Sequence, residues 1–336
     1  MRLRRSVAAL VVAMGLLVSA CGGNPDSESG NKGEKVSYLT SFGTFGREAY
    51  AYVALEKGYF REAGLDVTIT PGSGTVDVMK LVAGGQADYG IGDFTAFMIT
   101  SSKEHLPVTA VGMVHQRSLA AIVSLEGYGI TKPKDLEDKK IGDQPGSTNQ
   151  VMFPVYAKAA GIDKNKVQWV ASAPPALPAL LVSGQVNGIG QFVVGQPTIE
   201  KAAKGKKAVV LPYGDLLPDL YGNAILTRQD VVKEKPAQVQ KFTAALLKGL
   251  ADTIADPQAA ATILKKYVPE TDVTVAAAEL MLMRDYVKPP SYNGPIGAIA
   301  REKVSGVKTA LAQAEAINTD LFNIGDYVSF ELAPKA

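Results

Sequence analysis

Two stretches one hundred residues apart carry the same pattern: Leu81-Val82-Ala83-Gly84-Gly85-Gln86-Ala87-Asp88-Tyr89-Gly90-Ile91-Gly92-Asp93-Phe94 and Leu181-Val182-Ser183-Gly184-Gln185-Val186-Asn187-Gly188-Ile189-Gly190-Gln191-Phe192. Each reads as a helix end, a glycine stop, a short strand, a polar residue and a phenylalanine. Two ordinary α-turn-β units share this grammar by physics alone; two lobes of similar topology share it as well. Working outward supports the second reading. Before the first stretch stand a strand candidate at Val36–Leu39, a helical pattern at Arg47–Lys57 stopped by Gly58, an alternating strand at Leu65–Thr70 and a helix at Val76–Ala83. After it come a helix at Phe94–Ser101 and strands at Val108–Val114 and Leu119–Ser124. The rhythm then restarts with a strand at Lys140–Gly142, a helix at Asn149–Ala160, a strand at Val167–Ala171, a helix at Ala176–Ser183 and strands at Gly188–Phe192 and Ala208–Leu211. Alternation of this kind predicts an α/β fold with mainly parallel sheets.

Beyond Ala224–Thr227, a β segment that returns the chain to the first half, four helical patterns follow: Val239–Thr253, Ala259–Tyr267, Val273–Tyr286 and Ile299–Ala316. They have no further sheet to cover, so they are expected to pack on the first lobe. The predicted division is a discontinuous lobe I of residues 36–127 plus 223–336, with lobe II, residues 128–222, inserted between. A length of 336 residues, above what one core usually serves, agrees with two lobes.

The chain carries 35 Lys and Arg against 33 Asp and Glu. Residues 1–20 hold Arg2, Arg4 and Arg5 and no acid, so the remainder counts 32 against 33. A near-neutral body argues against a nucleic-acid partner, which needs a basic surface. Met1–Arg5 is basic and Ser6–Ala20 is apolar and small, the layout of a secretory signal and too short for a span of ~20 residues. Leu17-Val18-Ser19-Ala20-Cys21 resembles the lipobox of bacterial lipoproteins. The resemblance implies a signal peptide over 1–20, lipidation of Cys21 and anchoring at the outer face of the cell membrane. Cys21 is the only cysteine, which leaves no internal disulfide and no catalytic thiol. Residues 21–35, rich in Gly, Ser, Asn and charge, read as a flexible tether.

Catalytic patterns are scarce. No G-x-S-x-G, H-E-x-x-H or P-loop pattern occurs, and Gly90-Ile91-Gly92 and Gly188-Ile189-Gly190 lack the third glycine and the following helix of a dinucleotide site. The two histidines, His105 and His115, have no metal-ligand spacing, so neither a metal nor a cofactor is expected. His115, after an apolar strand, is placed to reach a cleft, and His105 is expected in solvent.

Binding residues are instead expected at strand ends, where open α/β sheets take their ligands. Asp93 and Gln191 lie at such ends, one per lobe, with Thr95 just beyond the first. Ser41-Phe42-Gly43-Thr44-Phe45-Gly46-Arg47 joins the first strand to the first helix: its glycines, Gly43 among them, allow close backbone approach, Phe42 and Phe45 offer rings for stacking, and Arg47 sits against the helix dipole. Arg47 reads equally as a ligand contact or as an arginine paired with a nearby acid. Ser147, Thr148 and Asn149 open a helix whose free N–H groups accept a ligand oxygen, one hydroxyl serving at minimum as the N-cap. Gly72-Ser73-Gly74-Thr75 is a similar element in lobe I. Gln116 is a further cleft candidate, Phe94 and Phe192 read equally as core or stacking rings, and Trp169 reads as core.

Tyr52-Val53-Ala54-Leu55-Glu56-Lys57-Gly58-Tyr59-Phe60-Arg61-Glu62-Ala63-Gly64-Leu65-Asp66-Val67 resembles the signature of the NMT1/THI5-like family, and Gly84–Gly92 is similar to its next block. The resemblance implies a type II periplasmic-binding-protein fold, two α/β lobes joined by two crossover strands, here Ala120–Ser124 and Asn223–Thr227. It implies an extracytoplasmic, monomeric binding protein of an ABC importer that captures a small solute and delivers it to a permease and its ATPase. Family ligands include thiamine pyrimidine precursors, riboflavin and small sulfonates. Members that bind pyrimidines often carry Asn and His where this chain has Gly43–Glu48, and Phe-Gly-Arg-Glu is closer to the flavin branch. The expected solute is a small aromatic heterocycle, riboflavin-like or thiamine-pyrimidine-like; the alternatives are a sulfonate, taurine or nitrate-type anion, or a pyrimidine-synthase-like enzyme on the same fold. Fungal relatives of that last kind carry a cysteine-rich iron-binding segment that this chain lacks.

Overall fold

Short runs of apolar and β-branched residues form the strands, and the segments between them roll into helices because their apolar positions recur at helical spacing. A computed structural model describes residues 33–318 and 323–335. The expected signal peptide, Cys21 and the tether up to residue 32 lie outside the described residues. Among those described, ten strands make two sheets: β1 (Glu34–Leu39), β2 (Leu65–Thr70), β3 (Tyr89–Asp93), β4 (Val108–Met113), β5 (Ala120–Leu125), β6 (Lys140–Asp143), β7 (Gln168–Ala171), β8 (Gly188–Phe192), β9 (Ala208–Pro212) and β10 (Asn223–Arg228).

The first sheet has the order β2-β1-β3-β10-β4 and the second β7-β6-β8-β5-β9. In each, four strands run in one direction and the fourth position holds one antiparallel strand, β10 in the first and β5 in the second. The two repeated sequence stretches therefore end in the central strands β3 and β8, which occupy equivalent positions. Gly85 and Gly184 turn the chain with positive φ (71° and 74°) at the same point of each unit. The fold is that of type II periplasmic binding proteins, two α/β lobes joined by two crossovers.

The glycines of the Gly-Ile-Gly pairs serve packing. A Cβ at Gly90 would overlap Val78 of the helix Thr75–Ala83, and one at Gly190 would overlap the Asp143 carboxylate. The missing side chains let a helix in one lobe and a buried acid in the other lie directly on the sheet.

Two expectations shift. Tether residues Glu34 and Lys35 belong to β1, paired in register with Leu65 and Asp66, because β2 offers them backbone partners. The expected limit of lobe I at residue 127 falls one strand late. The hydrogen bonds of β5 go to β8 and β9, so the chain passes from the first sheet to the second at 114–119, and back at 213–222.

The C-terminal helices cover the first sheet, as their apolar faces require. Pro236–Ala255 lies against the helix Ala49–Glu56. Pro257–Tyr267 pairs with Val273–Val287, which also touches the second-lobe helix Gln196–Ala202. Asp256 and Asp272 cap two of these helices by accepting from Ala259 N and Val275 N, each at 3.0 Å. Trp169, partly buried, packs edge-on to Phe153 with centroids 5.2 Å apart.

Gly249 marks the tightest helix crossing: a Cβ there would lie 2.7 Å from Ala54 Cβ and would press on the Tyr50 carbonyl. By helix propensity alone Gly→Ala stabilises by up to ~1 kcal/mol. Here overpacking outweighs it, so Gly249→Ala should destabilise by ~1–3 kcal/mol in urea unfolding. A gain in stability would show that the crossing is looser than described.

Candidate functional site

The carboxyl ends of β3 and β8 point at each other across the lobes, and the loop Thr40–Phe45 and the helix Thr148–Ala160 fill the space between. The result is a nearly closed cavity of about 10 Å3 lined by Ser41, Phe42, Arg47, Gly74, Ser147, Thr148, Asn149, Gln191 and Phe192. That is about the room one water needs and far below the ~300–1,000 Å3 of pockets for drug-sized ligands, so the lobes stand closed on each other here. Seven of the expected residues thus come together: Phe42, Arg47, Ser147, Thr148, Asn149, Gln191 and Phe192.

Direct contacts hold the lobes together around it. Thr75 Oγ1 and Thr148 Oγ1 share a hydrogen bond of 3.0 Å, and Val76 N donates to the Gly146 carbonyl at 3.3 Å. Gly74, at φ 113°, lets the backbones meet: its Cβ would stand 3.3 Å from Ser147 Cα. Arg47 Nη1 donates to Gln191 Oε1 at 3.2 Å, joining the first helix turn of one lobe to the strand end of the other.

Arg47 is the charged member of the cavity lining, and it is only 2% exposed. Its guanidinium packs on the Phe45 ring at 4.5 Å and the Phe192 ring at 5.0 Å. Glu48 Oε1 stands 3.9 Å from its Nε, and Glu279 Oε2 accepts from its backbone N–H at 3.3 Å. Burial pushes the Arg47 pKa down, against the pull of both acids. Burial likewise pushes both glutamates up, opposed chiefly by the arginine. The arginine that reads equally as ligand contact or paired with an acid is both buried beside acids and exposed to the cavity.

The remaining liners are largely engaged. Ser147 Oγ caps its helix, accepting from Gln150 N at 3.2 Å and donating to Asp143. Asn149 Oδ1 accepts from Ala121 N at 3.0 Å, and Gln191 Oε1 accepts from Phe192 N at 2.8 Å. Two buried donors on the lining find no hydrogen-bond partner: Arg47 Nε and Gln191 Nε2, one from each lobe.

Other expected residues lie behind or beside the cavity. Asp93 caps the helix Phe94–Glu104: Oδ1 accepts from Thr95 N and Ala96 N at 2.9 and 3.0 Å, while Oδ2 and Thr95 Oγ1 are buried and unpaired. Phe94 packs edge-on to Tyr221 in the core, its centroid 5.5 Å away, because the cap turns its ring inward. Gln116 is held by Ala298 O at 3.0 Å and Tyr286 O at 2.7 Å. Gly43 turns the loop at φ 67° and donates to Gly72 O. Phe45 faces a wider groove shared with Glu279, Thr198, Lys201 and Asp272, and Lys201 pairs with Asp272 across it. His115 is buried, its Nδ1 accepting from Asn223 N at 3.4 Å and its Nε2 unpaired. Burial, with Arg47 nearby, holds its pKa down at about 3.

The sequence reading misses Ser41, Glu48 and Glu279. Glu279 leaves a trace: it sits on the face of Ala276, Leu280 and Met283, where helical spacing expects an apolar residue. Glu48 leaves none, since an acid in the first helical turn is ordinary dipole chemistry.

Titration gives an opposed pair. Burial lifts Asp93 from an unfolded value of 3.8 to about 7, so between those pH values the folded chain holds a proton that the unfolded chain releases. Its contribution to stability falls as pH rises across that window. His115 runs the other way: unfolded near 6.5 and folded about 3, it costs stability as pH falls below 6.5. Asp93→Asn keeps the cap acceptor and removes the first effect. Its stability relative to wild type should climb by up to a few kcal/mol from pH 4 to 7.5, at ~1.4 kcal/mol per pKa unit. Urea unfolding at several pH values measures this, and a pH-independent difference would refute it.

Comparison with known proteins bears on the cavity. Residues 48–260 match the family described as NMT1/THI5 like, and the chain belongs to it. The formylaminopyrimidine-binding protein of Halalkalibacterium halodurans is 25% identical over 253 residues, 74% of this chain and 76% of that one. A 4-amino-5-hydroxymethyl-2-methylpyrimidine phosphate synthase of Aspergillus parasiticus is 26% identical over 239 residues, 68% of this chain and 69% of that one. Among solved structures, the alkanesulfonate-binding protein SsuA of Xanthomonas axonopodis bound to MOPS superposes with a TM-score of 0.70 at 15% identity, covering 89% of this chain and 99% of that one. The nitrate-binding protein NrtA of Synechocystis gives 0.64 at 14%, covering 90% and 87%.

Proposed function

We propose that this member of the NMT1/THI5-like family is the extracytoplasmic solute-binding protein of an ABC importer. It captures a small, neutral aromatic heterocycle between its lobes and hands it to a permease. The observation that carries the reading is the pair of unpartnered buried donors, Arg47 Nε and Gln191 Nε2, one per lobe, in a cavity that also presents Phe42 and Phe192. Buried donors without acceptors are costly, and a ligand supplying acceptors from one rigid ring satisfies both. Ring nitrogens and carbonyls of a pyrimidine or flavin are such acceptors, and the two phenylalanines suit its faces.

Contacts to both lobes make closure depend on the ligand. A solute that touches only one lobe has no differential affinity for the closed form, whereas one bridging Arg47 and Gln191 favours it. The formylaminopyrimidine-binding relative supports the pyrimidine side of the reading. The cavity of about 10 Å3 holds no more than about one water in this closed arrangement, so a ring of either kind enters only when the lobes part. In the same proposal residues 1–20 direct export and Cys21 carries the lipid that holds the protein at the membrane; Cys21→Ser should then release it into the medium.

Native mass spectrometry of the purified protein, followed by calorimetry with the aminopyrimidine and with riboflavin, tests the ligand class. Gln191→Ala and Arg47→Ala should each weaken binding about ten- to a hundredfold, the range for a hydrogen bond to a charged group or loss of a buried partner. Retained affinity in both variants would sink the assignment. The synthase relatives favour a second reading, turnover on the same fold. Product formed from the bound solute and abolished by His115→Ala would establish it.

A further inference from the structure

One guanidinium on the cavity wall has two buried carboxyl groups beside it. Arg47, Glu48 and Glu279 are 2%, 1% and 0% exposed, and the two carboxyls approach the arginine from different elements. One carboxylate is enough to neutralise a buried guanidinium, and a second costs desolvation without balancing any further cation. Glu48 is held by Ser41, itself a cavity residue, and Glu279 by Thr198 and the Arg47 backbone. Behind the lining stand two more buried acids: Asp143, bonded to Ser147, and Asp93, whose backbone N–H bonds Thr75, the partner of Thr148. No lysine stands among the residues lining the cavity, and His115 next to Arg47 is held neutral by burial.

We infer that Glu48 and Glu279 set the charge selectivity of the cavity, so that it takes neutral or cationic heteroaromatic solutes and rejects anions such as sulfonates and phosphate monoesters. This rests on the solute-binding reading above. The arginine donates hydrogen bonds to the solute while its charge is spent on the protein's own acids. An incoming sulfonate would then meet a guanidinium already compensated and a second carboxyl group with no counter-ion of its own. Rejection by like charge is how a site separates solutes of equal shape. The acids are positioning residues, acting through Arg47 and the field it sits in.

Matched pairs isolate charge from shape: 4-amino-5-hydroxymethyl-2-methylpyrimidine against its phosphate ester, and riboflavin against its 5′-phosphate, with ethanesulfonate as a small anion. Calorimetry on the full folded protein gives the ratio of Kd values within each pair. In the wild type the neutral member should bind at least about tenfold more tightly, and ethanesulfonate should not compete. Glu48→Gln and Glu279→Gln, nearly isosteric, should each narrow that ratio about tenfold or more, a change that a merely structural role would not produce, since loss of packing weakens both members alike. Two separate variants guard against one failing to fold. Equal or tighter binding of the anionic member by the wild type, or an unchanged ratio in the glutamine variants, overturns the inference while leaving a solute receptor in place. Failure of both pairs, with ethanesulfonate bound instead, overturns the heterocycle reading and the inference with it.

Discussion

A buried guanidinium must be compensated wherever it is placed, and in this protein that requirement ties the two halves together. Arg47 starts the first helix of one lobe, donates to Gln191 at the strand end of the other, and draws Glu279 from a helix 232 residues further along the chain. Each partner lies on a different element, so a single desolvated cation organises the loop after β1, the end of β8 and the C-terminal helix Val273–Val287 around one point. Phe45 and Phe192 on its faces complete the shield from water. Replacing such a group is costly because its partners would be left buried and unpaired.

The exchange of strands makes this arrangement possible. Each sheet takes its one antiparallel strand from beyond a chain crossing, β5 in the second and β10 in the first. The first lobe is completed only when the chain returns with β10, while the second is the continuous run β5–β9, and both crossings are anchored by full strand ladders while the segments 114–119 and 213–222 between them stay short. Anchored ends with short connections make those two segments the covalent links between the sheets. Contacts across the gap are both polar, Thr75 with Thr148 and Val76 N with the Gly146 carbonyl, and apolar, where Phe97 and Met98 share a core with Met152 and Phe153.

Hydrophobic periodicity, glycine stops and the repeated α-turn-β pattern made most of the fold legible. Those signals are local and follow from backbone geometry, so β3, β8 and the C-terminal helices are found within a few residues of their predicted positions. The site was legible where it follows from topology. Gln191, Phe192 and Ser147–Asn149 sit at strand ends and a helix start, and sheets of this type place ligands there. Phe94 shows the limit: its position in the pattern matches Phe192, yet the Asp93 cap turns it into the core. The side of a strand end on which a ring falls depends on cap geometry that one sequence does not display.

The sequence by itself determined the α/β class, the two-lobed division, the family and the elements from which a cleft is built, because these depend on spacing within thirty residues or so. Tertiary structure alone decided which sheet β5 joins, that Arg47 is buried rather than exposed, and that Glu48 and Glu279 surround it. Those outcomes hang on contacts between elements far apart in the chain, β5 with β8 and β9, and Arg47 with Gln191 and Glu279. Their physical reason is desolvation: a charge acquires its cost and its partners only once folding has removed the water around it.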